Sequence, residues 1–433
     1  MRPHFLHAVA LLALIAAPVR SAPVAPAAPG AGTSLFTPRI ANDSQVQAAF
    51  AWIDAHRAEQ IREWIHITEI PAPSRLEQDR ARYIETQLRA AGVDSMTRDS
   101  IGNLVAVLKG MAGTPSLAFA SHMDTVFPLE TPIHVHAAGD TLYAPGVGDN
   151  SASCANTLQA IRAIRAAHLS FRGDLIFIFT AQEELGLQGM RWYLRHERRP
   201  DLLIALDGPM GDVNYGALGI RWYKFHYTGP GGHTLNSRGR PNPAQAVARA
   251  LRDLAAIELP DSASGAQAVM NVGMIGGGTV VNAVSQDSWF TVDLRTVDPA
   301  AFAHLDLEIN AVAEAAARTE RTGFRREVTL EMAAGGTEAR LQDRRAHPIV
   351  QTGVDALTWL LRERWPEHTV RAVATGSTDG NVGVAMGIPT IALGRTFGRD
   401  QHTLEEAAEI EGTVVGTRQI VLLAACLAGI ALE

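Results

Sequence analysis

The stretch SLAFASHMD, residues 116–124, decides the fold. Its first half is small and apolar without alternation, the pattern of a strand covered on both faces, and it stops at a histidine and an aspartate. NLVAVL at 103–108, DLIFIFT at 174–180 and DLLIALD at 201–207 repeat the design, with helical patterns between the later runs. Strands of this kind require helices on both sides, so the expectation is an α/β class with a helix-flanked mixed sheet. Polar and charged residues gather where the runs end, and open α/β sheets place their sites at that edge.

Upstream, Val46, Phe50, Ile53, Ile61, Trp64 and Ile65 recur at helical spacing between Ser44 and Ile70, and Pro71 closes that helix. Ser74 reads as the N-cap of a further helix that carries Tyr83, Ile84 and Leu88 and stops at Gly92. Downstream, RWYKFHYTG alternates like a half-exposed strand. A helix with Ala246 and Leu251, the runs AVMNVGMIGG and SWFTVDLR, a helix from Pro299 to Arg318 and the run REVTLEM follow it. This β-α-β-β-α-β order predicts a ferredoxin-like α+β domain over 218–337, inserted into a first domain made of 42–217 and 338–433. The α/β texture then returns with a helix near Val350 to Arg364, the loop ATGSTDGNVG, the run PTIAL and a final helix.

Residues 1–21 carry Arg2, an apolar run from Phe5 to Ala17 and small residues around Arg20, the pattern of a secretory signal peptide; residues 22–41 form a Pro/Ala-rich linker. The apolar run is shorter than the roughly 20 residues that span a bilayer, and no later segment reads as long and uncharged enough. A periplasmic or secreted protein is expected, with no stable membrane association after signal cleavage. Cys154 and Cys426 sit in apolar helical stretches and read as buried thiols rather than a disulfide. With 433 residues, 47% of them hydrophobic, the chain is long enough for two cores. Its formal charge of −7 offers no positive field to nucleic acid.

His122, Asp124, Asp149, Glu183, Glu184, Asp207 and His402 carry the chemistry. Each alone has an ordinary reading: a satisfied histidine, an N-capping aspartate, a solvated acidic face. Together they place carboxylates and imidazoles at the ends of successive core strands, where like charges repel unless cations lie between them. His122 and Asp124 share a face of a strand end, so the aspartate can hold the imidazole tautomer while the other ring nitrogen binds metal. Glu183 and Glu184 are adjacent and diverge, so one can bind while the other serves as a base. Mixed imidazole and carboxylate donors suit zinc, cobalt or manganese better than calcium or magnesium.

In chain order, SHMDTV, APGVGDNSAS, TAQEELG, ALDG, GPGGHT and QHTLEE resemble the motifs of the co-catalytic zinc exopeptidases, the family of peptidase T, glutamate carboxypeptidase, acetylornithine deacetylase and succinyl-diaminopimelate desuccinylase. The resemblance covers residues 45–425 and implies two zinc ions per chain, with cobalt or manganese as substitutes. It implies that Asp149 bridges the ions, that Glu184 and His402 complete one site and His122 and Asp207 the other, that Glu183 is the general base and that Asp124 orients His122. By the same resemblance the outer part is a zinc-binding catalytic domain and 218–337 a lid and dimerisation domain. Its His233 reaches the active site of the neighbouring subunit in a homodimer to stabilise an oxyanion. Asn282 and Arg295 resemble lid positions that bind a substrate carboxylate or carbonyl; for Arg295 the rival reading is a cross-strand ion pair. Ser377 to Asn381 resemble a segment near the site, though as bare sequence they form a turn with a local Asx bond.

Two departures stand out. The bridging turn has Asn150, Ser151 and Ala152 where the family often has Asp-Lys-Gly, which removes a second acid and a lysine. Asp207 replaces the glutamate that goes with carboxypeptidases and deacylases, which favours aminopeptidase-type cleavage of short peptides. The alternatives are a carboxypeptidase or an N-acyl-amino-acid deacylase on the same scaffold and, more remotely, a non-catalytic peptide-binding dimer. GVGDNS lacks the third glycine of a dinucleotide loop, GGGT at 276–279 lacks the lysine of a phosphate loop, and neither Gly-x-Ser-x-Gly nor His-Glu-x-x-His occurs. Alternation in RWYKFHY makes its aromatics packing residues rather than a stacking platform for bases.

Overall fold

SLAFASHMD supplies the end of the strand Gly113–His122, in which every residue from Ser116 to His122 is buried. A computed structural model describes residues 32–261, 268–332, 343–362 and 364–431. The signal-peptide reading, the start of the linker and the boundary at 337/338 lie outside the described residues.

The strand is one of eight, in the order Ser95–Arg98, Leu104–Leu108, Gly173–Thr180, Gly113–His122, Leu202–Leu206, Thr390–Leu393, Asp212–Asn214 and Arg371–Val373. Gly173–Thr180, Gly113–His122, Leu202–Leu206 and Thr390–Leu393 lie side by side and parallel, while antiparallel pairings flank them. All eight residues of Gly173–Thr180 are buried, as a doubly covered strand requires. One face packs under the helices Ser44–Ala55, Ser153–Ala166, Pro348–Leu361 and Ile410–Ala424, and the other under Gln188–His196 and Gly380–Ala385. From Gly113–His122 the chain passes to one neighbour and then crosses back to the other. The strand order therefore reverses at His122, the switch point where open α/β sheets form their crevice.

The inserted segment builds a second sheet, in the order Ala268–Asn271, Asp287–Thr296, Gly219–Thr228 and Gly323–Met332, all antiparallel, with Ile275–Gly277 also paired to Asp287–Thr296. With the helices Pro243–Leu254 and Pro299–Glu320 this is the ferredoxin-like arrangement. Tyr223, Phe225 and Tyr227 alternate inward and join Phe290, Leu294, Leu305 and Ile309 in a separate core. The packing reading of RWYKFHY thus holds: Trp222, on the opposite face, packs against the cluster that includes Ile220 and Leu330, and it also lines a cleft described below. Asp298 and Asn242 cap the two helices, each followed by a proline at the first helical position.

Four sequence expectations are corrected. The helical stretch from Ser44 to Ile70 is two helices, Ser44–Ala55 and Arg57–Glu69, broken at the non-helical backbone of His56, whose ring bonds the Trp52 carbonyl and stacks on the Trp52 indole. Ser74 caps nothing: its helix begins at Gln78, and its hydroxyl donates to Asp124 Oδ2 at 2.6 Å. The end of the expected linker is packed rather than free, with the Leu35 amide bonded to Thr352 Oγ1 and Thr37 capping a short helix, Pro38–Ala41. Ile410–Gly429 is long and apolar enough to cross a membrane, contrary to the reading of the sequence, but 89% of its most apolar 18-residue window is buried within the protein. Cys154 and Cys426 are both buried and unpaired with each other.

Candidate metal centre

Register delivers the donors. His122 ends its strand opposite Thr180, so Glu183 and Glu184 follow in the loop immediately beyond. Ala120 lies opposite Ala205, which brings Asp207 level with His122, and Leu206 lies opposite Leu393, which puts Arg395 just past Asp207. Asp149 arrives from the turn that opens the helix Ser153–Ala166, and His402 from the loop between the short paired strands Gly398–Arg399 and Ala407–Glu409.

Asp149 sits at the centre of the cluster. Its Oδ1 is 3.1 Å from His122 Nε2 and its Oδ2 is 3.3 Å from His402 Nε2. Asp207 Oδ2 lies 3.8 Å from His122 Nε2, and Glu184 Oε1 lies 3.2 Å from His402 Nε2. His122, Asp149 and Glu184 each offer a ligand atom, all within 4.8 Å of one another. Tetrahedral zinc with bonds near 2.1 Å separates its ligand atoms by about 3.4 Å, a spacing that these donor pairs approach. The second ring nitrogen of His122 faces the Asp124 backbone carbonyl at 3.1 Å, closer than the Asp124 carboxylate at 3.6 Å. That carboxylate instead accepts the amides of Glu183 and Glu184, at 2.9 and 3.1 Å, and so fixes the loop carrying both glutamates.

The electrostatics call for cations. Burial alone would lower the His122 pKa, but Glu183, Asp124 and Asp149 hold it well above the imidazole range. His402 is pushed up to about 10 by its bonds to Asp149 and Glu184. Burial, reinforced by Asp207, Asp379 and Glu184, lifts Glu183 well above the carboxylate range against the pull of His122. Asp149 goes the other way: burial opposes its charge, yet Arg395, His122 and His402 keep it ionised. Any dication bound here would have to displace the protons that these carboxylates hold on the two imidazoles.

The turn of Asp149 is held by contacts that the sequence did not reveal. Glu406, buried, accepts the amides of Gly146, Gly148 and Asp149 at 2.7–2.9 Å, while Asn150 Nδ2 and Ser153 Oγ both donate to the Leu206 carbonyl. Arg395, also buried, pairs with Asp207 and Asp149. Asp379 accepts from Thr180 Oγ1 at 2.5 Å, and burial pushes its carboxyl up to about 7; the local bond expected in its turn is present too, from the Thr378 amide to Asn381 Oδ1. The non-glycine residues Gln182, Leu187 and His402 all adopt left-handed backbone around the cluster, a strained conformation that concentrates at sites.

A cleft of about 390 Å³ opens on the cluster, with Val126, Leu187, Ile220, Trp222, Leu330 and Arg295 as its other walls. Arg295 therefore does face the cluster, but it is also paired with Asp293 two residues earlier on the same strand, not across strands. His233 and Asn282 are not part of this cleft. They are exposed neighbours where Gly232–His233 pairs with Ala283–Val284, and the Asn282 carbonyl accepts the Thr234 amide.

Residues 118–425 match the profile of Peptidase family M20/M25/M40. The chain belongs to this family. As an M20 family member it is a metal-dependent hydrolase, which sets aside the non-catalytic dimer. It is 25% identical over 382 residues to the uncharacterised protein YqjE of Bacillus subtilis, covering 84% of this chain and 96% of that one. A tripeptidase from Staphylococcus aureus superposes with a TM-score of 0.69 at 19% identity, over 86% of this M20 chain and 98% of the other. The di-peptidase Dug1p of Saccharomyces cerevisiae gives 0.70 at 13% identity, over 89% and 99%. These two likenesses are of fold.

Proposed function

We propose that this M20 hydrolase is a dinuclear metallo-exopeptidase that removes residues from the amino end of short peptides. The observation that carries the reading is Asp149, each of whose oxygens faces a different imidazole. His122, Asp207 and Asp149 Oδ1 would hold one ion; Glu184, His402 and Asp149 Oδ2 the other, with zinc the first choice and cobalt or manganese as substitutes. Two dications in such a frame acidify a water and polarise the scissile carbonyl. Glu183, buried beside the cluster and anchored by its amide, would take the proton from the attacking water and return it to the leaving amine. Asp124 serves by fixing the loop of Glu183 and Glu184 as much as by facing His122.

The aminopeptidase polarity rests on Asp207, and the tripeptidase and di-peptidase among the structural neighbours support short peptides. Arg295, half-exposed in the cleft wall, favours a second reading in which a substrate carboxylate is gripped, as in a carboxypeptidase or an N-acyl-amino-acid deacylase. Free, N-acetylated and C-amidated dipeptides assayed with added zinc or cobalt separate the two. Loss of turnover on acetylation supports the amino-end reading, and an undiminished rate overturns it.

The inserted segment 218–337 would act as lid and dimerisation domain, with His233 completing the partner's site and Asn282 beside it. Leu235, Met274, Ile275, Val280 and Val281, all exposed and apolar, lie near His233 and Asn282 along the chain and suit a second copy. Export to the periplasm or beyond rests on the N-terminal pattern, and sequencing the amino terminus of the mature protein tests it.

A further inference from the structure

Arg395 has no part in the chemistry above. It lies just past the strand Thr390–Leu393, and its side chain is 4% exposed. Nη1 pairs with Asp207 Oδ1, and Nη2 lies 3.4 Å from Asp149 Oδ1. Its backbone is pinned, since Asn156 Nδ2 donates to its carbonyl at 2.9 Å and Gln419 Nε2 to the preceding carbonyl of Gly394 at 2.6 Å. The guanidinium therefore stands against two of the three groups around His122. Among the described residues the Glu184–His402 half has no such partner.

We propose that Arg395 is an internal cation that makes the two metal positions unequal, an inference that rests on the two-metal reading. A guanidinium stays charged at any relevant pH, and in a buried setting its field is poorly screened. The position made by Glu184, His402 and Asp149 Oδ2 takes its dication first and holds it. The position made by His122, Asp207 and Asp149 Oδ1 fills second and more weakly, because the incoming ion shares both carboxylates with a fixed positive charge. In the metal-free chain the same guanidinium offsets the charge of two buried carboxylates.

The experiment is calorimetric titration of the chelator-stripped full chain with zinc or cobalt alone, with bound metal counted independently. Two steps about tenfold or more apart are expected in the unaltered protein. Arg395→Gln keeps N–H donors and removes the charge; it should tighten the second step about tenfold while moving the first less than about threefold. Arg395→Lys, which keeps the charge, should preserve the separation, and His402→Ala should abolish the tight step. Two indistinguishable steps in the unaltered protein overturn the inference without any variant and leave the two-metal reading standing. A second step unchanged or weakened in Arg395→Gln overturns it as well. A single equivalent at saturation in both proteins removes the two-metal reading, and the inference with it.

Discussion

Glu183 and Glu406 are both buried carboxylates near Asp149, yet opposite consequences follow from removing them. Glu183→Gln keeps the shape of a side chain that no proposed metal position needs. It should leave metal content within experimental error while lowering turnover about 10²-fold or more, read by metal analysis beside steady-state kinetics. Glu406→Ala strands three buried amides of the bridging turn and should lower stability by about 2–4 kcal/mol in urea titration, with weaker metal binding because Asp149 loses its support. An unchanged denaturation midpoint would contradict that role. His122, Asp124, Glu183, Glu184 and Asp207 were legible in the sequence because each stands at or just past the end of an apolar run, while Asp149 and His402 were legible only through their motifs. Arg395, Glu406 and the true task of Ser74 were not, since their partners lie 188, 257 and 50 residues away and no local spacing encodes such a pairing.

At the scale of elements, long doubly buried strands were readable from continuous apolar runs, whereas Asp212–Asn214 and Arg371–Val373, three residues each, are too short to show a pattern. The helix Ile410–Ala424 deceived in a different way: its composition does not distinguish burial in protein from burial in lipid. Its close fit depends on Gly416, where a Cβ would sit 2.2 Å from the Arg395 carbonyl and 2.4 Å from Asn156 Nδ2. Gly416→Ala should therefore destabilise by about 1–3 kcal/mol despite the better helix propensity of alanine, measured by chemical denaturation. A stabilised variant would show that the helix and the Arg395 loop slide apart freely.

For the whole molecule, the proposed reach of His233 into a partner's site makes a mixing experiment decisive. Glu183→Gln lacks a base and His233→Ala lacks the donor supplied in trans. Mixed dimers contain one site with Glu183 intact and His233 contributed by the other chain, so blending the two weakly active variants should restore activity well above their sum. Additive rates would mean that His233 acts within its own chain or not at all. The ferredoxin-like order of the insert was legible because its strands and helices are long and regular, but the sequence held no geometric sign of what His233 faces.

The loop between Gly398–Arg399 and Ala407–Glu409 brings His402 to Asp149 Oδ2, and its far end carries Glu406, which braces the turn of Asp149. One hairpin thus holds a proposed ligand and the support of the proposed shared ligand. Its opening, accessible by amide hydrogen exchange, withdraws His402 from one proposed position and the Glu406 brace from the turn of Asp149, so escape of the ion proposed for the Glu184–His402 position should track the exchange rate of this hairpin's amides.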